Sequence, residues 1–281
     1  MTIQNQPTHN FVFFGTPEVA RKTLERLLAD GFRPLAVVTN PDAPKGRGLA
    51  LSPTPVKVLA IAEGIPVLTP ERLDEPTVTA IRELGTSYGV AVAYGKLFPE
   101  SLIAAFPNGV LNVHYSLLPK YRGATPLEAA LRAGERETGV TIQKMVKALD
   151  AGDIIAQEKL SIASDETARE LRPRLIEAGA ELLVKTLPAY ERGEISGIPQ
   201  DHALASHFGK LKKDDGLLDL SNDAETNWNT YRAYADSIGT YFLENEKRMK
   251  ITKASFRDGK FVVERVIPEG KNEMPYANDR T

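Results

Sequence analysis

Asn112, Val113 and His114 close a short apolar run that opens at Gly109. Side chains two apart on a strand share a face, so Asn112 and His114 lie on one side. Together they offer amide donors and a titratable imidazole. A central parallel strand is buried on both faces and reads as continuously apolar. Two polar groups at its carboxyl end therefore stand where open α/β sheets bind ligands. The same residues also read as a hydrogen-bonded pair that ends the strand. Ser116-Leu117-Leu118-Pro119 and Lys120-Tyr121-Arg122-Gly123-Ala124 follow as a long loop, up to Thr125-Pro126, an N-cap and first-turn proline. Such a loop is a binding layout or a crossover. Asp150 lies in the turn Leu149-Asp150-Ala151-Gly152-Asp153. Asp and Gly are what tight turns require, so by itself Asp150 reads as a turn residue. No spacing brings it to His114.

The elements that must position these groups alternate. Phe11 to Phe14 reads as a strand. Thr16 reads as the N-cap, and Pro17 as the first residue, of a helix with an apolar face at Val19, Ala20, Leu24, Leu27 and Leu28, stopped by Gly31. Leu35 to Val38 is the second strand, and Asn40 to Pro55 is rich in turn residues. Further expected elements are a helix at Pro55 to Glu63, a strand at Pro66 to Leu68, a helix at Glu75 to Leu84, and strands at Gly89 to Ala93 and Gly109 to Val113. The alternation predicts an α/β protein: a Rossmann-like, open, mostly parallel sheet with helices on both faces. Val140 to Met145 and Ile154 to Leu160 read as strands flanking the Asp150 turn. A helix spans about Thr167 to Arg192, and Pro173 should delay its start or kink it. Residues 1–192 are expected as one domain, 193–207 as a linker, and 208–281 as a small antiparallel β domain of OB-like barrel form. In that domain Tyr241-Phe242-Leu243, Met249-Lys250-Ile251 and Phe261-Val262-Val263 are separated by Asn-Glu and Asp-Gly turns. Trp228 reads as its core, and the tail from Lys271 as loosely held.

Composition narrows the function. The 281 residues suffice for a larger and a smaller domain. A hydrophobic share of 42% and a charged share of 26% are ordinary for a soluble globular chain. Met1 to Asn10 lacks the layout of a signal peptide, and no apolar run reaches the roughly 18 residues of a membrane span. There is no cysteine, which excludes disulfides, thiolate metal sites and catalytic thiols. A cytoplasmic, monomeric protein is expected, with no membrane partner. The net charge of −2 does not mark a dedicated nucleic-acid binder, but leaves room for a local basic patch. His9, His114, His202 and His207 show no ligand spacing with acidic partners, so no metal is implied. Gly15-Thr16-Pro17 lacks the glycine pattern of dinucleotide binders.

In order along the chain stand Phe13-Phe14-Gly15-Thr16-Pro17, Asn40-Pro41-Asp42 with Lys45-Gly46-Arg47-Gly48, Pro53-Thr54-Pro55-Val56-Lys57 and Val92-Ala93-Tyr94-Gly95-Lys96. Then come Leu111-Asn112-Val113-His114, Ser116-Leu117-Leu118-Pro119, Tyr121-Arg122-Gly123-Ala124, Glu137-Thr138-Gly139-Val140-Thr141 and Leu149-Asp150-Ala151-Gly152-Asp153. As a set these resemble the methionyl-tRNA formyltransferases of the folate-dependent formyltransferase superfamily, from about residue 10 to about 220. The resemblance implies the formyltransferase fold and transfer of a formyl group from 10-formyltetrahydrofolate to the amino group of methionyl initiator tRNA. It implies Asn112, His114 and Asp150 as the reacting centre, with Asp150 holding His114 protonated and relaying a proton. It also implies a pterin site formed by backbone groups at Tyr94, Gly95, Ser116, Leu117, Leu118, Pro119, Leu149 and Asp153. Lys45 and Arg47 match the loop that reaches the tRNA acceptor end. A second basic stretch, from Lys247 to Lys253 and including Lys250, could follow phosphates or be a solvated strand face. Tyr234 to Gly239 stands where that family tends to carry a Pro-Trp segment. The alternative is a sister enzyme that formylates a nucleotide-linked amino sugar.

Overall fold

A computed structural model of the chain describes residues 9–45 and 50–276. Strand β1 (Phe11–Gly15) leads through helix α1 (Glu18–Ala29) to β2 (Ala36–Val38). The hairpin β3 (Ala43–Lys45) and β4 (Ala50–Ser52) precedes α2 (Pro55–Ala62) and β5 (Val67–Leu68). Next come α3 (Glu75–Glu83), β6 (Tyr88–Val92), the short α4 (Glu100–Ile103) and β7 (Val110–His114). β8 (Arg122–Gly123) and α5 (Pro126–Arg132) stand before β9 (Glu137–Lys144) and β10 (Ile154–Ser161). The long α6 (Ala168–Glu191) is followed by β11 (His207–Phe208), α7 (Ala224–Tyr234), β12 (Thr240–Glu244), β13 (Lys247–Arg257), β14 (Lys260–Pro268) and β15 (Met274–Pro275).

The central sheet has the order β10-β9-β7-β6-β1-β2-β5. β5, β2, β1, β6 and β7 run parallel, and β9 turns the edge antiparallel against β7. All five residues of β1 and of β6 are buried, as expected of parallel strands covered on both faces. Helix α1 buries Ala20, Leu24 and Leu27, an i, i+4, i+7 stripe. A Cβ on Gly15 would stand 2.6 Å from that of Ala20, so the glycine lets the helix rest on the strand end. Gly31, at φ +89°, ends α1 in a Schellman motif: Phe32 N–H donates to Leu27 O and Gly31 N–H to Leu28 O.

Several expectations need correction. Pro17, not Thr16, occupies the N-cap of α1; the Thr16 hydroxyl donates to Tyr94 O at 3.2 Å, a tertiary bond that local pattern cannot reveal. Thr125 likewise makes no side-chain cap and donates to Gly209 O. Thr54 does cap α2, accepting from Lys57 N–H. The turn-rich stretch after β2 contains the β3/β4 hairpin. Pro173 does not delay α6, which starts at Ala168. Thr167 and Glu170 cap that start reciprocally, Thr167 N–H donating to the Glu170 carboxylate and Glu170 N–H to Thr167 O. The tail is paired as far as Pro275, against Arg265 and Val266 of β14.

The chain packs as two compact units. The first holds the described residues of Met1–Pro119, with Val140–Glu158 and Ile176–Leu204. Within its last segment Ile198 exchanges two backbone hydrogen bonds with Ile154. The second holds Lys120–Gly139, Lys159–Leu175 and the described residues from Ala205 onward. Here β12-β13-β14-β15 form an antiparallel sheet. β15 has two residues and pairs with β14, so among the described residues the sheet stays open and is not a closed barrel. Asn245 and Glu246, then Asp258 and Gly259, all have positive φ, the type I′ pattern of two-residue hairpins. α7, which the β pattern around it hid, supplies Trp228 and Tyr231 to a core with Leu218, Phe242, Met249 and Ile251.

Candidate active site

Three strand ends of the first unit converge on one carbonyl. Thr16 after β1 and Asn40 after β2 both donate to Tyr94 O after β6. Strand order reverses between β1 and β6, and the carboxyl ends at such a switch point form the usual ligand crevice. The Tyr94 ring packs edge-on against Phe14 and Phe98, and burial pushes its hydroxyl up to about 12. Its side chain is therefore core, and only its backbone reaches the crevice. Gly95 turns the chain at φ +86°.

Asn112 and His114 end β7, one strand further. Val113 and Tyr115 approach Gly179 of α6, so by alternation Asn112 and His114 take the opposite face. The register sets Gln143 beside Asn112 and Thr141 beside His114. β9 thus adds two polar side chains to the same face. The Thr141 hydroxyl donates to Ser116 O at 2.7 Å and accepts from Leu118 N–H and from the Gln157 amide. Gln157 also donates to Leu118 O at 2.8 Å. This pins the Ser116-Leu117-Leu118-Pro119 loop by its backbone, with Ser116 and Leu118 buried.

The turn after β9 brings Asp150 back to His114. Asp150 Oδ2 lies 3.7 Å from His114 Nδ1, with the two side chains only 11% and 6% exposed. That is too long for a direct hydrogen bond but close enough for a strong charge interaction in a partly dry site. Asp150 Oδ1 accepts from the Gln143 amide at 2.8 Å. Asp150 adopts φ +49°, a left-handed conformation that Asp tolerates better than most residues. A Cβ at Gly152 would stand 1.7 Å from Lys144 O, so only glycine fits. Gln200 clamps the turn by donating to Asp150 O and Gly152 O, at 3.0 and 2.7 Å. Asp150 is therefore a turn residue whose carboxylate also faces His114. Leu149 and Asp153 flank it exposed, and Asp153 packs on Gly197.

The remaining expected residues lie elsewhere. Lys45 ends β3, on a hairpin whose base is tied by the Lys57–Asp42 ion pair at 2.8 Å and by the Thr39–Thr54 hydroxyl pair. Arg47 lies outside the described residues. Lys250 is exposed on β13 of the second unit. Sequence reasoning missed Gln143, Gln157 and Gln200. Gln143 alternates with Thr141 along a buried strand, which is a signal, but only the β7–β9 register gives it meaning.

Residues 9–187 match the family described as formyl transferase. A methionyl-tRNA formyltransferase from Geobacter metallireducens is 42% identical over 247 residues, 88% of this chain and 79% of that protein. One from Citrifermentans bemidjiense is 40% identical over 267 residues, 95% and 84% respectively. Among solved structures, the fold is similar to the methionyl-tRNA formyltransferase from Clostridium thermocellum. That pair has a TM-score of 0.60 at 15% identity, over 92% of this chain and 99% of that one. It is also similar to the N-formyltransferase from Helicobacter canadensis, with a TM-score of 0.68 at 20% identity over 89% of each chain. Matched over more than half its length by the family, and at 40% identity or more by relatives of nearly its own extent, the chain belongs to the formyl transferase family, among the methionyl-tRNA formyltransferases.

Proposed function

We propose that the chain transfers a formyl group from 10-formyltetrahydrofolate to the α-amino group of methionine esterified to initiator tRNA. The observation that carries this reading is the buried His114–Asp150 pair, 3.7 Å apart beside Asn112 at the carboxyl edge of the sheet. When bound, the folate supplies an activated formamide carbon. Asn112 offers amide N–H groups, and protonated His114 a ring N–H, to the formyl oxygen as it gains negative charge. One such donor contributes about 10²–10³ in rate. Asp150 favours the protonated imidazole, because an opposite charge nearby stabilises the charged form. The attacking amine must be neutral, and a free α-amino group titrates at roughly 7.7–8.0. Through a bridging water Asp150 takes the proton that the amine sheds on attack and relays it to the folate nitrogen as the bond from that nitrogen to the formyl carbon breaks, so tetrahydrofolate leaves neutral.

The pterin ring is assigned to the loops at this edge. The loop after β6 has open space at Gly95, where a Cβ would meet nothing within 4 Å. Leu97 and Leu149, on the loops after β6 and β9, are exposed apolar side chains. Tyr94, Gly95, Ser116, Leu117, Leu118, Pro119, Leu149 and Asp153 supply the backbone groups to hold it, and no metal is invoked. Lys45 and Arg47 are assigned to the tRNA acceptor end, with Lys250 as a further phosphate-binding group. Relatives at 40% identity favour tRNA over the amino-sugar alternative, since the sugar enzymes are similar in fold alone. A formyl-transfer assay comparing charged initiator tRNA with nucleotide-linked amino sugars tests this. Preferential turnover of the sugar would overturn the assignment.

A further inference from the structure

We infer that Gln143 is a positioning residue of the transfer reaction: its amide holds one Asp150 oxygen and thereby aims the other at His114. The inference rests on the reading of Asp150 and His114 as the reacting pair. Gln143 is only 1% exposed, lies opposite Asn112 in register and donates from Nε2 to Asp150 Oδ1 at 2.8 Å. An ionised carboxylate only accepts, so the amide is obliged to turn its N–H side to Asp150. Its Oε1 is left buried, with no hydrogen-bond partner among the described residues. A buried acceptor left in this way is destabilising, a cost that an apolar side chain of similar volume would avoid.

Holding the turn does not account for that cost. The turn is already closed by Lys144 N–H donating to Asp153 O and by Gln200 on Asp150 O and Gly152 O. What Gln143 adds is the orientation of the carboxylate. With Oδ1 engaged, Oδ2 is the atom that meets His114 Nδ1. Titratable His114 from β7 and neutral Gln143 from β9 face the Asp150 carboxylate, while neutral Gln200 from the segment after α6 holds its backbone carbonyl.

The test compares Gln143→Met, Gln143→Glu and Asp150→Asn as full chains in the formyl-transfer assay, with thermal melting alongside. Gln143→Met fills the space without a donor. It should lower kcat about 10-fold, the scale of one hydrogen bond to a charged group, and leave KM for both substrates within about 2-fold. The split between kcat and KM is the readout that a merely structural role would not give. Gln143→Glu sets a second carboxylate against Asp150 and should lower kcat further. It keeps the side-chain size, so it remains informative if the Met variant does not fold. An unchanged kcat in the folded variants, with Asp150→Asn inactive, would overturn this inference and leave the reacting pair standing. A fully active Asp150→Asn would overturn the pair and this inference with it.

Discussion

Among the described residues of the first unit, a histidine–carboxylate pair stands at each edge of the central sheet. At the carboxyl edge, His114 and Asp150 are nearly buried and 3.7 Å apart. At the amino edge, His9 Nδ1 lies 3.0 Å from Glu191 at about a quarter exposure, and the Tyr88 hydroxyl donates to the same carboxylate at 2.6 Å. The amino-edge pair is the shorter. It ties the residue before β1 to the last residue of α6, and stability is its product. The carboxyl-edge pair is looser, is carried on a left-handed turn, and is surrounded by amides that hold backbone and carboxylate in place. A His–carboxylate distance alone does not mark an active site. Its place at the strand ends is what carries the proposed assignment, because in a parallel sheet the carboxyl edge gathers the loops and switch point that admit a ligand.

Breaking the two pairs should separate them by the largest margin. His114→Ala and Asp150→Asn should each lower kcat by about 10² or more, whereas Glu191→Gln should leave turnover within about 2-fold. It should reduce unfolding free energy by no more than about 1 kcal/mol. Equal activity losses in steady-state assays of the three folded proteins would erase the distinction. Gly152→Ala sharpens it from the backbone side, because the new methyl meets Lys144 O. We expect a loss of several kcal/mol in denaturant unfolding, with folate binding weakened in whatever protein folds; an unperturbed melt would mean that the turn has room.

A smaller effect concerns the acceptor. Arg47→Ala should raise KM for charged tRNA several-fold, with folate affinity unchanged. It should also flatten the salt dependence by about 0.9 for each duplex phosphate that is no longer neutralised. Lys250→Ala should do the same more weakly. If the double variant matches the parent across a salt series, the docking assignment fails. The smallest effect is one of pH and reaches both edges. Burial pushes Tyr94 up to about 12, and burial, then the bond to Glu191, pushes Tyr88 up as well. Tyrosines in the unfolded chain ionise near 10. The unfolded state therefore binds fewer protons above that pH, and stability should fall as pH rises from about 10 to 12. Tyr94→Phe and Tyr88→Phe should each shallow that fall in urea midpoints measured at pH 9 and pH 11.

Local pattern made much of this molecule legible. The apolar runs of β1, β6 and β7, the stripe on α1 and the Asn-Glu and Asp-Gly hairpin turns follow from periodicity and from positive-φ chemistry that operate within a few residues. The pairing of Asn112 with His114 on one face was legible for the same reason. Helix α7 was not, because its apolar residues face a sheet formed later in the chain. The roles of Thr16 and Thr125 were not either, since tertiary acceptors outcompeted the local caps. From the residues alone Asp150 was a turn residue; only the resemblance in the surrounding motifs set it beside His114. Gln143, Gln157 and Gln200 carried no local signal strong enough to mark them. Their significance comes from register and chain return, which bring residues 7 to 50 positions apart within hydrogen-bond distance. Sequence sets which groups are available and which way each strand residue faces, because those depend on short-range sterics. Which acceptor meets which donor is decided only when the sheet closes its ladder and the long loops pack back upon it.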